Sequence, residues 1–273
     1  MLAPVNLISI VSRMRLFPVS VWILVVSLLA GCATLEEDQT KGWSAQRLYT
    51  EAKSALTNKE YNTAIQYFEK LEARYPYGPY AEQAMLETGY AYYKSDEMAS
   101  AIASANRFIR TYPTHPHVDY AYYLKGLASF DEDRSSLEKI FGHGDPSNRD
   151  PKALRDAYDA FKEVVQRYPN SKYADDSRKR LVYLTNAMAM SDIHAARYYY
   201  SRSAYVAVVN RTKSVIENYQ RTPAVEDALG LQALAYRQLG MTELMNDTRR
   251  VLEENFPKSH YLAELQNGRT KTD

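Results

Sequence analysis

Five times along this chain an aromatic residue meets a helix-ending step, and each time the same apolar spacing precedes it. The steps are Tyr75-Pro76, Tyr112-Pro113, Tyr168-Pro169, Tyr219-Gln220 and Phe256-Pro257. Proline has no N–H to give a helix and pushes the residue before it out of the α region, so four of the five are direct stops. Upstream lie Ala64, Phe68 and Leu71, then Ala101, Ala105 and Phe108, then Ala157, Phe161 and Val164. Steps of four and three put each trio on one helix face. Two further copies keep the spacing with weaker residues, Val208, Thr212 and Val215, then Met245, Arg249 and Leu252. The other helix of each unit carries a small residue where two backbones must approach closely: Ala52, Gly89, Gly126 and Ala233. Alternating β-branched runs are missing, which argues against a sheet. A unit of this kind buries its apolar face only against its neighbours, so the pattern predicts a stack.

The pattern resembles the tetratricopeptide repeat, a helix-turn-helix unit of about 34 residues with A-x3-F and a late proline. The expected fold is therefore all-α, a right-handed solenoid of about five such repeats. Two copies are stretched. The third carries an insertion from about Asp131 to Pro151, with a Gly/Asp/Pro-rich loop at Phe141-Gly142-His143-Gly144-Asp145-Pro146. The fourth has a long first helix, expected from about Asp175 to Tyr200. Repeats 1–2 and the start of repeat 3 occupy residues 44–131, and the rest of repeats 3–5 occupies 132–273. Stacked repeats present an extended concave surface of the kind that binds other chains.

Before the repeats stands a segment of different character. Arg13 and Arg15 precede an apolar run from Leu16 to Ala30, and Leu29-Ala30-Gly31 leads into Cys32. This layout is that of a secretory signal, residues 1–31, rather than of a membrane span; Met14 is as good a start as Met1. The four residues ending at Cys32 resemble a bacterial lipoprotein processing site, which implies an S-linked diacylglycerol and an N-palmitoyl group on Cys32. Cys32 is the only cysteine, so no disulfide competes for it. Each buried methylene contributes about 0.8 kcal/mol, and several chains on one residue anchor stably where one is marginal. Ala33 follows where aspartate would resemble an inner-membrane retention signal, so the outer membrane is the expected site. Residues 32–43 read as a lipidated tether, polar from Glu36 onward, with a reach of roughly 35–40 Å. The chain has 34 Lys+Arg against 33 Asp+Glu, and the signal holds two of the bases. Without a basic excess, nucleic acid is not an expected partner.

Tyrosine is the compositional outlier, with 24 copies. Repeat geometry places Gln46, Tyr49, Lys53, Leu56 and Thr57 on the concave side in the first repeat. Gln83, Leu86, Tyr90, Tyr93 and Lys94 follow in the second, and Tyr120, Tyr123, Leu127, Phe130 and Asp131 in the third. Tyr49, Lys53, Tyr90, Tyr93, Lys94 and Tyr123 are the expected binding residues, because tyrosine offers contact area at little entropic cost and lysine receives carboxylates. Inter-helix packing is the competing role for each tyrosine. Arg197 and Arg202 bracket Tyr198-Tyr199-Tyr200, a composition typical of partner surfaces. His115-x-His117 lacks an obvious third ligand and reads as a turn, so no metal is expected. Gly142-His143-Gly144 lacks the strand and third glycine of a nucleotide loop, and no catalytic motif is found, so neither an enzyme nor a cofactor is expected.

Taken together, the lipoprotein signal, the short tether and the placement of the insertions resemble the BamD family of repeat lipoproteins of the outer-membrane β-barrel assembly machinery. The resemblance is carried by Tyr61-x-x-Ala64-Ile65-x-x-Phe68 with Tyr75-Pro76, and by Arg149-Asp150-Pro151 ahead of Phe161. Tyr168-Pro169-Asn170-Ser171-x-Tyr173 and the run from Tyr198-Tyr199 into Val206–Arg211 complete it. It implies a non-catalytic protein on the periplasmic face of the outer membrane. Its N-terminal repeats would receive the C-terminal strand of unfolded barrel proteins, and its C-terminal repeats would hold BamA and accessory lipoproteins, with Arg202 in the BamA-facing segment. The alternative from another class is a repeat lipoprotein that scaffolds cell-wall synthesis or cell-division proteins.

Overall fold

The computed structural model describes residues 38–131, 147 and 150–267; Cys32, the Phe141–Pro146 loop and the C-terminal hexapeptide lie outside them. The chain divides after Trp43. Of the first part, residues 38–43 are described, and there the Thr40 hydroxyl donates to Asp38 Oδ1 at 2.7 Å. From Ser44 the described residues form a run of helices paired as the repeats predict. The A helices are α1 (Ala45–Thr57), α3 (Pro79–Lys94), α5 (Val118–Asp131), α7 (Ala174–Ser201) and α9 (Ala224–Gln238). The B helices are α2 (Tyr61–Arg74), α4 (Met98–Thr111), α6 (Pro151–Arg167), α8 (Tyr205–Asn218) and α10 (Thr242–Asn255). A terminal α11 (His260–Asn267) was not expected from the sequence. Each helix packs against the next in the chain, and no strand occurs among the described residues.

Local chemistry explains where the helices start and stop. Ser44 Oγ accepts from Arg47 N–H at 3.2 Å to open α1, and Asp150 Oδ1 accepts from Lys152 N–H at 2.9 Å to open α6. Pro79 and Pro151 occupy first helical positions, where a missing N–H does no harm. The five predicted stops are one structure repeated. Tyr75, Tyr112, Tyr168, Tyr219 and Phe256 all sit at the helix C-cap with φ between −128° and −135°. Tyr219 reaches it without a proline: Thr222 donates its backbone N–H at 3.0 Å and its hydroxyl at 2.8 Å to the Tyr219 carbonyl. The turn, not the proline alone, ends the helix.

The four A-to-B turns among the described residues are equally uniform. Lys59, Asp96, Ser203 and Gly240 occupy the left-handed region at φ 66°, 70°, 59° and 71°. The next residue's N–H returns to a carbonyl five back, as in Glu60 to Ala55 at 2.9 Å and Ala204 to Tyr199 at 3.0 Å. This is a Schellman cap, which glycine favours, yet three of the four positions carry a side chain. A left-handed L residue costs about 1–2 kcal/mol, partly offset by the extra unfolded-state entropy of glycine. Lys59→Gly or Ser203→Gly should therefore raise stability by about 0.5–1 kcal/mol in thermal melts, while Gly240→Ala should lower it by a similar amount.

Packing uses the predicted residues. Phe68, Phe108 and Phe161 are fully buried, as are Ala52 and Ala233. A Cβ on Gly126 would sit 2.7 Å from the Phe161 ring, and one on Gly89 3.2 Å from Leu124, so these glycines let α5 and α3 approach their neighbours. At the far end the Tyr261 ring of α11 packs on Gly230, where a Cβ would meet it at 2.2 Å. Tyr261 and Leu265 cover apolar surface of α9 that a sixth repeat would otherwise take.

Candidate binding surfaces

The predicted aromatic row falls across the A helices, and half of its six expected binding residues give their polar ends to neighbouring repeats. Lys53 Nζ on α1 meets Glu87 Oε1 on α3 at 2.7 Å. The Tyr93 hydroxyl on α3 donates to Asp131 at the end of α5 at 2.8 Å. The Tyr123 hydroxyl on α5 donates to Asp176 on α7 at 2.8 Å, and Arg180 Nε donates to the same oxygen at 2.5 Å. Arg197 on α7 pairs with Asp227 on α9 at 2.8 Å, and the Tyr261 hydroxyl of α11 donates to that carboxylate at 2.7 Å. Every junction between successive A helices thus carries one polar cross-link. Sequence reasoning named one side of each, Lys53, Tyr93, Tyr123 and Arg197, and missed Glu87, Asp176, Asp227 and Arg180. An acidic residue on the next A helix is too common a feature to single out without the register between helices.

The phenols register these contacts. Burial, reinforced by Asp131, holds the Tyr93 hydroxyl well above its usual range. Burial and the bond to Asp176 raise that of Tyr123. Burial and Asp227 push Tyr261 up to about 12. These hydroxyls remain protonated donors at any physiological pH. Asp176 is drawn below the usual carboxylate range by its bonds from Arg180 and Tyr123, which outweigh the opposing effect of burial.

Aromatic packing completes the row. Tyr49 lies 5.5 Å from Tyr80 and 5.9 Å from Phe68 between ring centroids. Tyr123 stacks on Tyr173 at 4.7 Å and touches Phe161 at 5.9 Å, while Arg180 lies over Phe161 at 5.5 Å. Leu56 and Leu86, expected on the concave side, are buried instead. Three of the six expected binding residues, Tyr49, Tyr90 and Lys94, make no hydrogen bond or ion pair among the described residues, and the Tyr49 ring is taken up by packing on Tyr80 and Phe68. Tyr90 is half-buried and Lys94, four residues on along α3, is exposed. They sit between cross-linked neighbours on a helix held at both sides.

Behind this row, Glu69, Glu72, Pro76, Met85 and Arg107 line a cavity of about 380 Å³ between α2, α3 and α4. Its charges are satisfied internally. Arg107 meets Glu72 at 2.7 Å, the Thr88 hydroxyl donates to Glu72 at 3.1 Å, and Tyr92 donates to Glu69. His115 is likewise occupied: Nδ1 accepts the His117 N–H at 3.1 Å and Nε2 faces Glu82 at 3.6 Å. His115 also packs edge-on against Phe108 at 5.1 Å, so the His-x-His pair belongs to a turn.

The second expected surface lies where α7 meets α8. Arg202 stands over the Tyr198 ring at 5.5 Å, and it makes no ion pair among the described residues. Tyr198 is 58% exposed and Val206 62% exposed. Beside them Tyr199, Asn210, Arg211 and Ser214 line a shallow cavity of about 390 Å³, with Arg211 held by Asp192 at 3.0 Å. Arg202 therefore belongs to an open patch, whereas Arg197 is committed to the internal clasp with Asp227.

The family model for YfiO, outer membrane lipoprotein, matches residues 42–252. The outer membrane protein assembly factor BamD of Neisseria meningitidis serogroup A is 48% identical over 249 residues, spanning 88% of this chain and 93% of its own. The factor of that name from Vibrio cholerae is 38% identical over 233 residues, spanning 85% and 96%. That from Caulobacter vibrioides is 32% identical over 245 residues, spanning 89% and 77%.

Proposed function

This chain belongs to the YfiO family of outer membrane lipoproteins, which includes the BamD assembly factors, and on that premise we propose how it acts in outer membrane protein assembly. The protein is a binding scaffold rather than a catalyst. A lipid on Cys32 holds it to the periplasmic face of the outer membrane. Tyr90 and Lys94 receive the C-terminal strand of an unfolded barrel protein, the ring against its aromatic side chain and the ammonium near its terminal carboxylate. The Tyr198–Arg202–Val206 patch faces BamA, with accessory lipoproteins held by the same C-terminal repeats.

The observation that carries the client site is the contrast within α3. Tyr93 has spent its hydroxyl on Asp131, but Tyr90 and Lys94 present unsatisfied groups on a helix cross-linked to both neighbours. A preorganised aromatic with an open hydroxyl, next to a cation, fits a peptide ending in an aromatic and a carboxylate. Interface tyrosines of this kind contribute about 2 kcal/mol when truncated. Tyr90→Ala should therefore weaken binding of a barrel C-terminal peptide by roughly tenfold or more, measured by anisotropy and by site-specific crosslinking. Tyr93→Phe should bind normally and lose stability only. BamA should co-purify with both variants. Unchanged peptide affinity in Tyr90→Ala would remove the client site. Recovery of a murein synthase without BamA would favour the cell-wall scaffold instead.

A further inference from the structure

Between α2 and α3 runs Tyr75-Pro76-Tyr77-Gly78-Pro79-Tyr80, six residues with three tyrosines, two prolines and no charge. Tyr77 is 91% exposed, the most exposed large apolar side chain among the described residues. Its ring packs on no aromatic partner and its hydroxyl makes no hydrogen bond among them. Exposure of this kind in a turn that two prolines and a left-handed Gly78 (φ 99°) hold in place is not fraying. The backbone of the turn fixes where the ring emerges.

The topology says toward what. Tyr49, in the second turn of α1, touches Tyr80 at 5.5 Å, so this turn shares an end of the first helical hairpin with the start of α1. The tether enters at that start. Twelve residues separate a lipid on Cys32 from Ser44, counting Cys32 itself, and they reach at most roughly 40 Å. The opposite end, where α1 turns into α2, lies about 20 Å farther along the helices. Tyrosine is the residue that favours the membrane–water boundary, with an apolar ring and a hydroxyl left for headgroups. The turn carries no charge to desolvate there.

Resting on the lipid-anchor reading of Cys32, we infer that the Tyr75–Tyr80 turn is a second membrane contact, seating the Tyr77 ring at headgroup depth in the leaflet that holds the lipid. A single lipid on a tether leaves the repeats free to tumble. A second contact at the tether end sets the hairpin upright on the bilayer and fixes which way α3, with Tyr90 and Lys94, faces.

The lipidated full-length mature protein offers a clean test, because a lipid leaves Cys32 no free thiol. Tyr77→Cys and Asn62→Cys are labelled with an environment-sensitive fluorophore after reconstitution into vesicles of phosphatidylethanolamine and phosphatidylglycerol; Asn62 is exposed in the first turn of α2, at the opposite end. Brominated lipids should quench the label at position 77 at least roughly twofold more than that at 62, as interfacial seating requires. Tyr75→Ser in the Tyr77→Cys protein should bring the two values together. Equal, water-like quenching at both sites in protein that floats with the vesicles overturns the second contact and leaves the anchor standing. Protection at 77 that appears only on adding a protein partner overturns it as well. Labelling of the unsubstituted chain at Cys32, with no flotation, overturns the anchor itself.

Discussion

Phe161→Ala is expected to destabilise the repeats by about 3–5 kcal/mol, the usual range for emptying a fully buried phenylalanine site. The number belongs at the upper end here. Phe161 is wholly buried, fills the space left open by Gly126, touches Tyr123 at 5.9 Å and carries Arg180 over its face at 5.5 Å. Arg180 and Tyr123 converge on Asp176, so the same ring supports the polar cross-link between the third and fourth A helices. Neighbouring repeats are stabilised mainly by the interface between them, so a cavity at one junction uncouples the two sides. Urea titration should show both a lower midpoint and a second, separated transition. Phe161→Leu, which refills most of the volume, should restore a single transition with a loss of about 1–1.5 kcal/mol. A single unshifted transition in the alanine variant would contradict the packing described.

Cys32→Ala should abolish membrane attachment while leaving the repeats folded. With about 0.8 kcal/mol for each buried methylene, a multiply acylated residue holds against dilution, whereas no described helix is long and apolar enough to cross a membrane. Fractionation should move the variant from the outer membrane to the soluble periplasm, with an unchanged thermal melt after purification. Restoring attachment with an unrelated lipoprotein signal should restore localisation. A variant that stays in the membrane fraction after a carbonate wash would show that another element anchors the chain.

Much of the fold was legible because helix stops and apolar spacing are local signals. The five aromatic C-caps, the small residues at close approaches and the long α7, expected at about Asp175–Tyr200 and observed at Ala174–Ser201, all depend on residues a turn or two apart. The terminal α11 escaped because eight residues are too few to show a period, and because its docking rests on Gly230, thirty-one residues upstream of Tyr261. The left-handed turns at Lys59, Asp96 and Ser203 escaped because lysine, aspartate and serine do not advertise that conformation as glycine does.

The binding row divides along the same line. Composition singled out its tyrosines and lysines, and repeat geometry placed them on one side. Neither separates a side chain that waits for a ligand from one that ties two repeats together. That depends on which carboxylate the neighbouring helix brings within 3 Å: Glu87 for Lys53, Asp131 for Tyr93, Asp176 for Tyr123 and Asp227 for Arg197. The sequence by itself determined a helical stack, because periodicity and helix stops are short-range signals. Only the tertiary structure decided that Tyr90, Lys94 and Arg202 are left open while Lys53, Tyr93, Tyr123 and Arg197 are internal cross-links. A hydrogen bond is satisfied or unsatisfied only once the register between helices far apart in the chain is set.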